Sequence, residues 1–188
     1  MSPPPCPAGA AFRCAYLTGW RIHSEVFALP WRLVDFDAEE VRLEPGMTKN
    51  SEGRVFPFNE ALATLLTAQR AHTDGVQRDR NMIVPWVFHR NGKRVKDFYG
   101  AWDKACGLAG CPDRIPHDFR RTSVRNLVRA GVPEDVAMKL TGHKTRAVFE
   151  HYNIVSGADL RDAVHRLDLA AIKVSCKVGT TSAPNASA

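Results

Sequence analysis

The chain has 188 residues, a hydrophobic fraction of 44% and a formal net charge of +6; that size fits one domain with a real core better than two small ones. The basic balance is compatible with nucleic acid, an anionic membrane surface or no specific partner. No run approaches the length of a membrane span, the start MSPPPCPAGAAF has neither the basic nor the apolar region of a secretory signal, and five cysteines in no framework or zinc-knuckle spacing exclude a disulfide or zinc scaffold. Free thiols, no membrane partner and a soluble intracellular protein are expected.

In chain order, residues 1–9 are proline-rich and expected to be irregular. A helix is predicted over Ala10 to Leu17, interrupted by Thr18-Gly19, and a second short one over Arg21 to Ala28, ended by Pro30. Glu25 lies one turn after Arg21, and Arg21 follows a glycine turn that can aim its side chain inward. Three strands are predicted at Leu33–Phe36, Val41–Leu43 and Arg54–Phe58, the last two joined by the turn-rich segment 44–53 that carries Lys49. Asn59 caps a helix reaching Arg70, with Ala61, Leu62, Leu65 and Leu66 as its apolar stripe. Polar residues 71–82 read as a loop, 84–88 as an extended segment, and His89–Arg94 as a basic turn suited to DNA phosphates or to solvent alone. A helix over Lys96 to Leu108 places Phe98, Trp102 and Ala105 on one face.

The stretch Ile115 to Tyr152 organises the rest. A helix from Asp118 to Ala130 turns Phe119, Val124, Leu127 and Val128 inward and stops at Gly131. Pro133 opens a second helix that ends at Thr141-Gly142, and a last turn from Arg146 to His151 leads to Tyr152. Ser156 then caps a final helix over Ala158 to Ile172, and 174–188 form a disordered tail. The folded domain expected from these elements spans 10–173.

Polar residues at fixed offsets punctuate this stretch. His117 and Arg120 are three apart, His143 lies 23 residues beyond Arg120, and Tyr152 nine further on. A guanidinium offers a planar fork matching two phosphate oxygens. Arg21 and Arg120 together can clamp a phosphodiester and stabilise a pentacoordinate transition state. A histidine moves a proton near neutral pH, a lysine protonates a departing alkoxide, and a tyrosine hydroxyl becomes a nucleophile when cations or a base assist it. The set supports phosphoryl transfer through a phosphotyrosine with no cofactor, neither metal nor nucleotide. Taken singly, each residue has an ordinary explanation: a surface pair, a cation at a helix end, a core aromatic.

Thr-Gly-Trp-Arg21 with Glu25, Thr48-Lys49-Asn50, His117-Asp-Phe-Arg120-Arg-Thr, Leu-Thr-Gly-His143-Lys and Tyr152 occur in this order, and over roughly Ala10 to Ile172 the chain resembles the tyrosine recombinase, or phage integrase, family. The resemblance implies an α+β catalytic domain, mostly helical with a small antiparallel sheet. It implies that Arg21 and Arg120 hold the scissile phosphate, that Lys49 is general acid for the leaving 5′-hydroxyl, and that His117 assists proton transfer. His143 would bond a nonbridging oxygen, Glu25 would orient Arg21 or nearby backbone, and Tyr152 would attack to form a 3′-phosphotyrosine. The partner implied is double-stranded DNA, held by a homo-tetramer in which the helix Ala158 to Ile172 docks on a neighbour, in the cytoplasm at the nucleoid. Members usually carry a DNA-clamping helical domain before this one. Only about 20 residues precede Arg21, so a fragment, a truncated gene or a decayed element is expected, weakened in DNA grip by lost phosphate contacts. The alternatives are a non-enzymatic DNA-binding remnant, a helix-turn-helix factor on residues 118–143 and a type IB topoisomerase. The helix-turn-helix reading leaves Arg21, Lys49 and Tyr152 unexplained, and the Thr-Gly-His-Lys turn favours the recombinase over the topoisomerase.

Overall fold

A computed structural model describes residues 7–47, 52–152, 157, 160, 161 and 163–168. The chain divides into two compact units, residues 1–153 and 154–188. The first unit is mostly helical. Helix α1 (Pro7–Thr18) is followed by a π-helical turn (Ile22–Val26), a 3-10 turn (Trp31–Leu33) and strands β1 (Val34–Asp35), β2 (Glu40–Leu43) and β3 (Arg54–Pro57). Then come α2 (Glu60–Arg80), the pair β4 (His89–Arg90) and β5 (Lys93–Arg94), α3 (Tyr99–Leu108), α4 (Asp118–Arg129), α5 (Glu134–Thr141) and α6 (Arg146–Glu150). This is the α+β architecture expected.

Helix α1 begins at Pro7, inside the stretch 1–9 expected to be irregular. Proline is well suited to a first helical position, where its missing N–H would have no partner anyway. Ala11, Cys14 and Ala15 of α1 are buried, and the helix lies between α2 and α4. Burial pushes the Cys14 thiol up to about 12, so it is an inert packing group. Thr18 ends the helix by donating to the Cys14 carbonyl (2.8 Å) and accepting from the Trp20 amide (3.2 Å).

The sheet runs β1-β2-β3, antiparallel throughout, with Val41 opposite Phe56 and Leu43 opposite Arg54. Alternation turns Val41, Leu43 and Phe56 to the core and Val55 to solvent. They join Trp20, Phe27, Leu62, Leu66, Phe88, Phe98 and Trp102 in the main core. A second, small core holds Val124, Ala137 and Phe149, with Leu127, Val128, Met138 and Tyr152 packed on it.

One expectation is corrected and another refined. Residues 71–80 are not a loop: α2 runs unbroken for 21 residues to Arg80 and ends on Asn81 in the left-handed conformation. The inward face of this half is polar, which hid the helical period. Gln69 donates to the Val87 carbonyl (2.8 Å), and Thr73 donates to the Gln69 carbonyl (2.9 Å). His89–Arg94, expected as a basic turn, is a β-hairpin built around that turn. Its Asn91-Gly92 tip has positive φ at both residues, the geometry of the tight turns that match strand twist. His89 is fully buried, accepting at Nδ1 from the Gly92 amide and sharing a 3.1 Å hydrogen bond with Thr73 Oγ1. It therefore offers nothing to DNA.

Smaller shifts have local causes. Helix α3 starts at Tyr99 rather than Lys96, because Asp97 Oδ1 accepts from the Tyr99 amide (3.0 Å) and turns the chain there. Its inward positions include Cys106, whereas Ala105 is exposed. In the second unit, the described residues between 157 and 168 are helical, with Leu160, Val164 and Leu167 exposed. Ala158, Ile172 and the 174–188 tail lie outside the described residues.

Candidate active site

Gly19 turns the chain out of α1 with φ +69° and sits so close to α4 that a Cβ there would lie 2.9 Å from Ser123 Oγ. Two residues later Arg21 enters the π-helical turn. The turn is widened by an i→i+5 bond from the Val26 amide to the Arg21 carbonyl (3.0 Å), a rare form that is frequent at functional sites. It folds Glu25 back under Arg21. The carboxylate accepts from the Arg21 amide (2.8 Å) and from Arg21 Nη1 (3.0 Å). Glu25 is completely buried, while the Arg21 side chain keeps 28% of its surface exposed. A second arginine, Arg54 at the start of β3, makes a fork onto the same carboxylate at 2.9 and 3.2 Å.

His117 is the residue before α4 and Arg120 lies in its first turn. Arg120 is only 2% exposed. It donates to the Gly19 carbonyl (2.7 Å), to the Gly142 carbonyl (3.3 Å) and to His143 Nε2 (3.3 Å). One side chain thus ties the end of α1 to the end of α5. Arg21, His117 and Arg120 share a cleft of about 480 Å³ walled by Trp20, Phe98 and Tyr99.

Helix α5 stops at Gly142, which takes φ +72° and bends the chain so that His143 tucks beneath the helix end. Thr141 donates its hydroxyl proton to the Ala137 carbonyl (2.7 Å), so His143 Nδ1 must donate to Thr141 Oγ1 (2.7 Å). That leaves Nε2 as the acceptor that Arg120 meets. Thr145 caps α6 through the Val148 amide, and Phe149, fully buried, anchors it. Tyr152 follows, its hydroxyl 2.7 Å from His117 Nε2 and its ring 5.1 Å from that of His143.

The electrostatics follow from burial among cations. Desolvation, then Arg21, lowers Arg120 to about 10, so it stays charged at neutral pH. Desolvation, then Arg120 and Arg21, holds His143 at about 3. Desolvation and then Arg120 also lower His117. Both histidines are therefore neutral at pH 7, and the Nδ1–H tautomer of His117 presents an acceptor to the Tyr152 phenol.

Of the residues singled out in the sequence, Arg21, Glu25, His117, Arg120, His143 and Tyr152 come together; Lys49 lies outside the described residues. The sequence reading passed over Arg54. Its signal was parity: in β3 it shares the inward face with Phe56, an unusual place for an arginine.

Known proteins of the same fold include XerA recombinase (18% identity, TM-score 0.66, covering 85% of this chain and 56% of that one). Others are the Tn1549 transposon integrase in complex with transposon right end DNA (19%, 0.64, 85% and 58%) and XerH site-specific recombinase bound to difH substrate (14%, 0.63, 87% and 48%). The chain spans about half the length of these structures. No curated protein sequence matches it. The model of the phage integrase family matches residues 2–158. With most of the chain matched and the tyrosine recombinase fold beneath it, this protein belongs to the phage integrase family.

Proposed function

We propose that the chain is the catalytic part of a site-specific DNA recombinase that cuts and rejoins duplex DNA through a 3′-phosphotyrosine. Arg21 and Arg120 bind the scissile phosphate and stabilise the charge that develops on it. His117 takes the phenol proton as Tyr152 attacks the phosphorus, the 5′-oxygen leaves, and Lys49 supplies its proton. Glu25 keeps Arg21 aimed at the phosphate. His143 accepts from Arg120 in the free protein; when DNA arrives, the negative charge of the phosphate draws a proton onto Nε2, which then donates to a nonbridging oxygen. Attack of a 5′-hydroxyl on the phosphotyrosine reverses the step in a new strand. The ester keeps the bond energy, so ATP has no part in the cycle. Double-stranded DNA is the substrate, and a tetramer of the chain is the assembly in which strands are exchanged.

The observation that carries this reading is the 2.7 Å contact between His117 Nε2 and the Tyr152 hydroxyl, beside a buried arginine that, among the described residues, hydrogen-bonds two carbonyls and a histidine and no carboxylate. The test is incubation of the full chain with a nicked suicide duplex, followed by a denaturing gel. A covalent protein–DNA band is expected, and Tyr152→Phe removes it while DNA binding survives, because only the nucleophilic oxygen is lost. A band that persists in that variant refutes Tyr152 as nucleophile. DNA binding with no band from any duplex points instead to a remnant that binds without cutting.

A further inference from the structure

Arg54 lies on no wall of the cleft that holds Arg21, His117 and Arg120, and its side chain is 4% exposed. A phosphate in that cleft cannot be its ligand. Yet it touches both halves of the site. One edge of the guanidinium forks onto Glu25, the carboxylate that also accepts from the backbone and side chain of Arg21. Nη1 also donates to the Thr141 carbonyl (3.1 Å), at the end of α5. The guanidinium fills the space beside Gly142: a Cβ at that residue would lie 2.1 Å from Arg54 Cζ and Nε. Gly142 supplies a carbonyl to Arg120 and leads directly into His143. Arg54 thus fastens the turn that carries Arg21 to the turn that carries His143.

We propose that Arg54 is a positioning residue for phosphoryl transfer, clamping Glu25 under Arg21 and bracing the Thr141-Gly142 turn that supports Arg120 and His143. The proposal rests on the recombinase reading of the same site. It accounts for the shared carboxylate. Glu25 alone could swing toward solvent with Arg21, whereas a planar fork from the opposite side fixes both of its oxygens. It also sets the charge of the site. Among the described residues, Arg21 and Arg54 share the Glu25 carboxylate, which leaves one positive charge uncompensated, and Arg120, bonded only to neutral partners, adds a second. A phosphodiester brings one negative charge and its pentacoordinate transition state two, so Arg54 favours the transition state from behind.

Arg54→Met and Arg54→Lys in the full chain test this. At saturating suicide duplex, the rate of adduct formation is expected to fall ~10²-fold for Met, the usual loss for a site misplaced by about an ångström, and about tenfold for Lys. The DNA Kd should stay within about threefold, and the slope of log K against log salt should not change, because no phosphate contact is lost. Amide exchange at Arg21 and His143 should quicken while Leu66 in α2 keeps its protection. A parental adduct rate in the methionine variant overturns the proposal. A salt slope shallower by about one unit overturns it too, since Arg54 would then be a DNA contact. If the methionine variant does not fold, the lysine variant decides by the same readouts. A parent that forms no adduct defeats the recombinase reading. Amide exchange then judges Arg54 alone, with unchanged protection at Arg21 and His143 counting against the clamp and faster exchange supporting it.

Discussion

Replacing Arg120 with lysine keeps the charge and removes the shape. In the parent, three acceptors on separate segments converge on this one guanidinium: the Gly19 carbonyl, the Gly142 carbonyl and His143 Nε2. A single ammonium on a flexible stem can satisfy one of them well. With Arg120 only 2% exposed, water does not readily replace the missing donors. A buried acceptor left without a donor costs ~1–3 kcal/mol, so two such losses, partly relieved by relaxation, should destabilise the fold by ~2–4 kcal/mol. Urea unfolding of the full chain, followed by far-UV circular dichroism, measures this as a lower midpoint with an unchanged slope. The rate of adduct formation should fall by ~10²–10³, the usual cost of removing a preorganised donor from a developing oxyanion. A lysine variant that unfolds at the parental midpoint and cleaves at the parental rate would show that the fork geometry is irrelevant, and the clamp reasoning would fail.

His117 must be neutral to accept the phenol proton, and burial beside Arg120 holds it below the usual histidine range. The adduct rate at saturating DNA should therefore stay level from about pH 8 to about pH 6.5 and fall only at lower pH. His117→Gln should lower it ~10²–10⁴-fold and abolish the acid limb; a variant that keeps the parental rate and limb sinks the base assignment. Stability should also decline in acid. Desolvation and then His72 lower His89, and His143 is held at about 3. Protons then bind the unfolded chain first, so stability is complete above about pH 6.5 and drains away as pH falls toward the folded values. The His143 share is on the order of 1–2 kcal/mol between about pH 7.5 and about pH 5. Urea midpoints that do not move across that window would contradict it.

Much of the fold was legible because its signals were apolar. Leu62, Leu65 and Leu66 announced the front of α2, and Val41, Leu43 and Phe56 the inward face of the sheet. The rear of α2 was not legible, since Gln69 and Thr73 bury polar side chains that bond to partners distant in sequence. The hairpin at Asn91-Gly92 was hidden by its basic flanks, although the dipeptide itself is the strongest local turn signal. The order of Arg21, His117, Arg120, His143 and Tyr152 could be read from offsets alone. Their meeting depends on Gly19 and Gly142, two left-handed turns that let α1 and α5 end beside α4. Arg54 was invisible as a site residue because its partners, Glu25 and Thr141, are 29 residues before it and 87 after it.

Helix α6, a five-residue element, is the short lever on which the tyrosine rides. It is gripped by Phe149 in a little core of its own rather than by the large one. Undocking it exposes the rings of Phe149 and Tyr152 and leaves the sheet, α1 and α2 outside the affected core. Under the proposed function, the Tyr152 oxygen can therefore be withdrawn while Arg21 and Glu25 remain set.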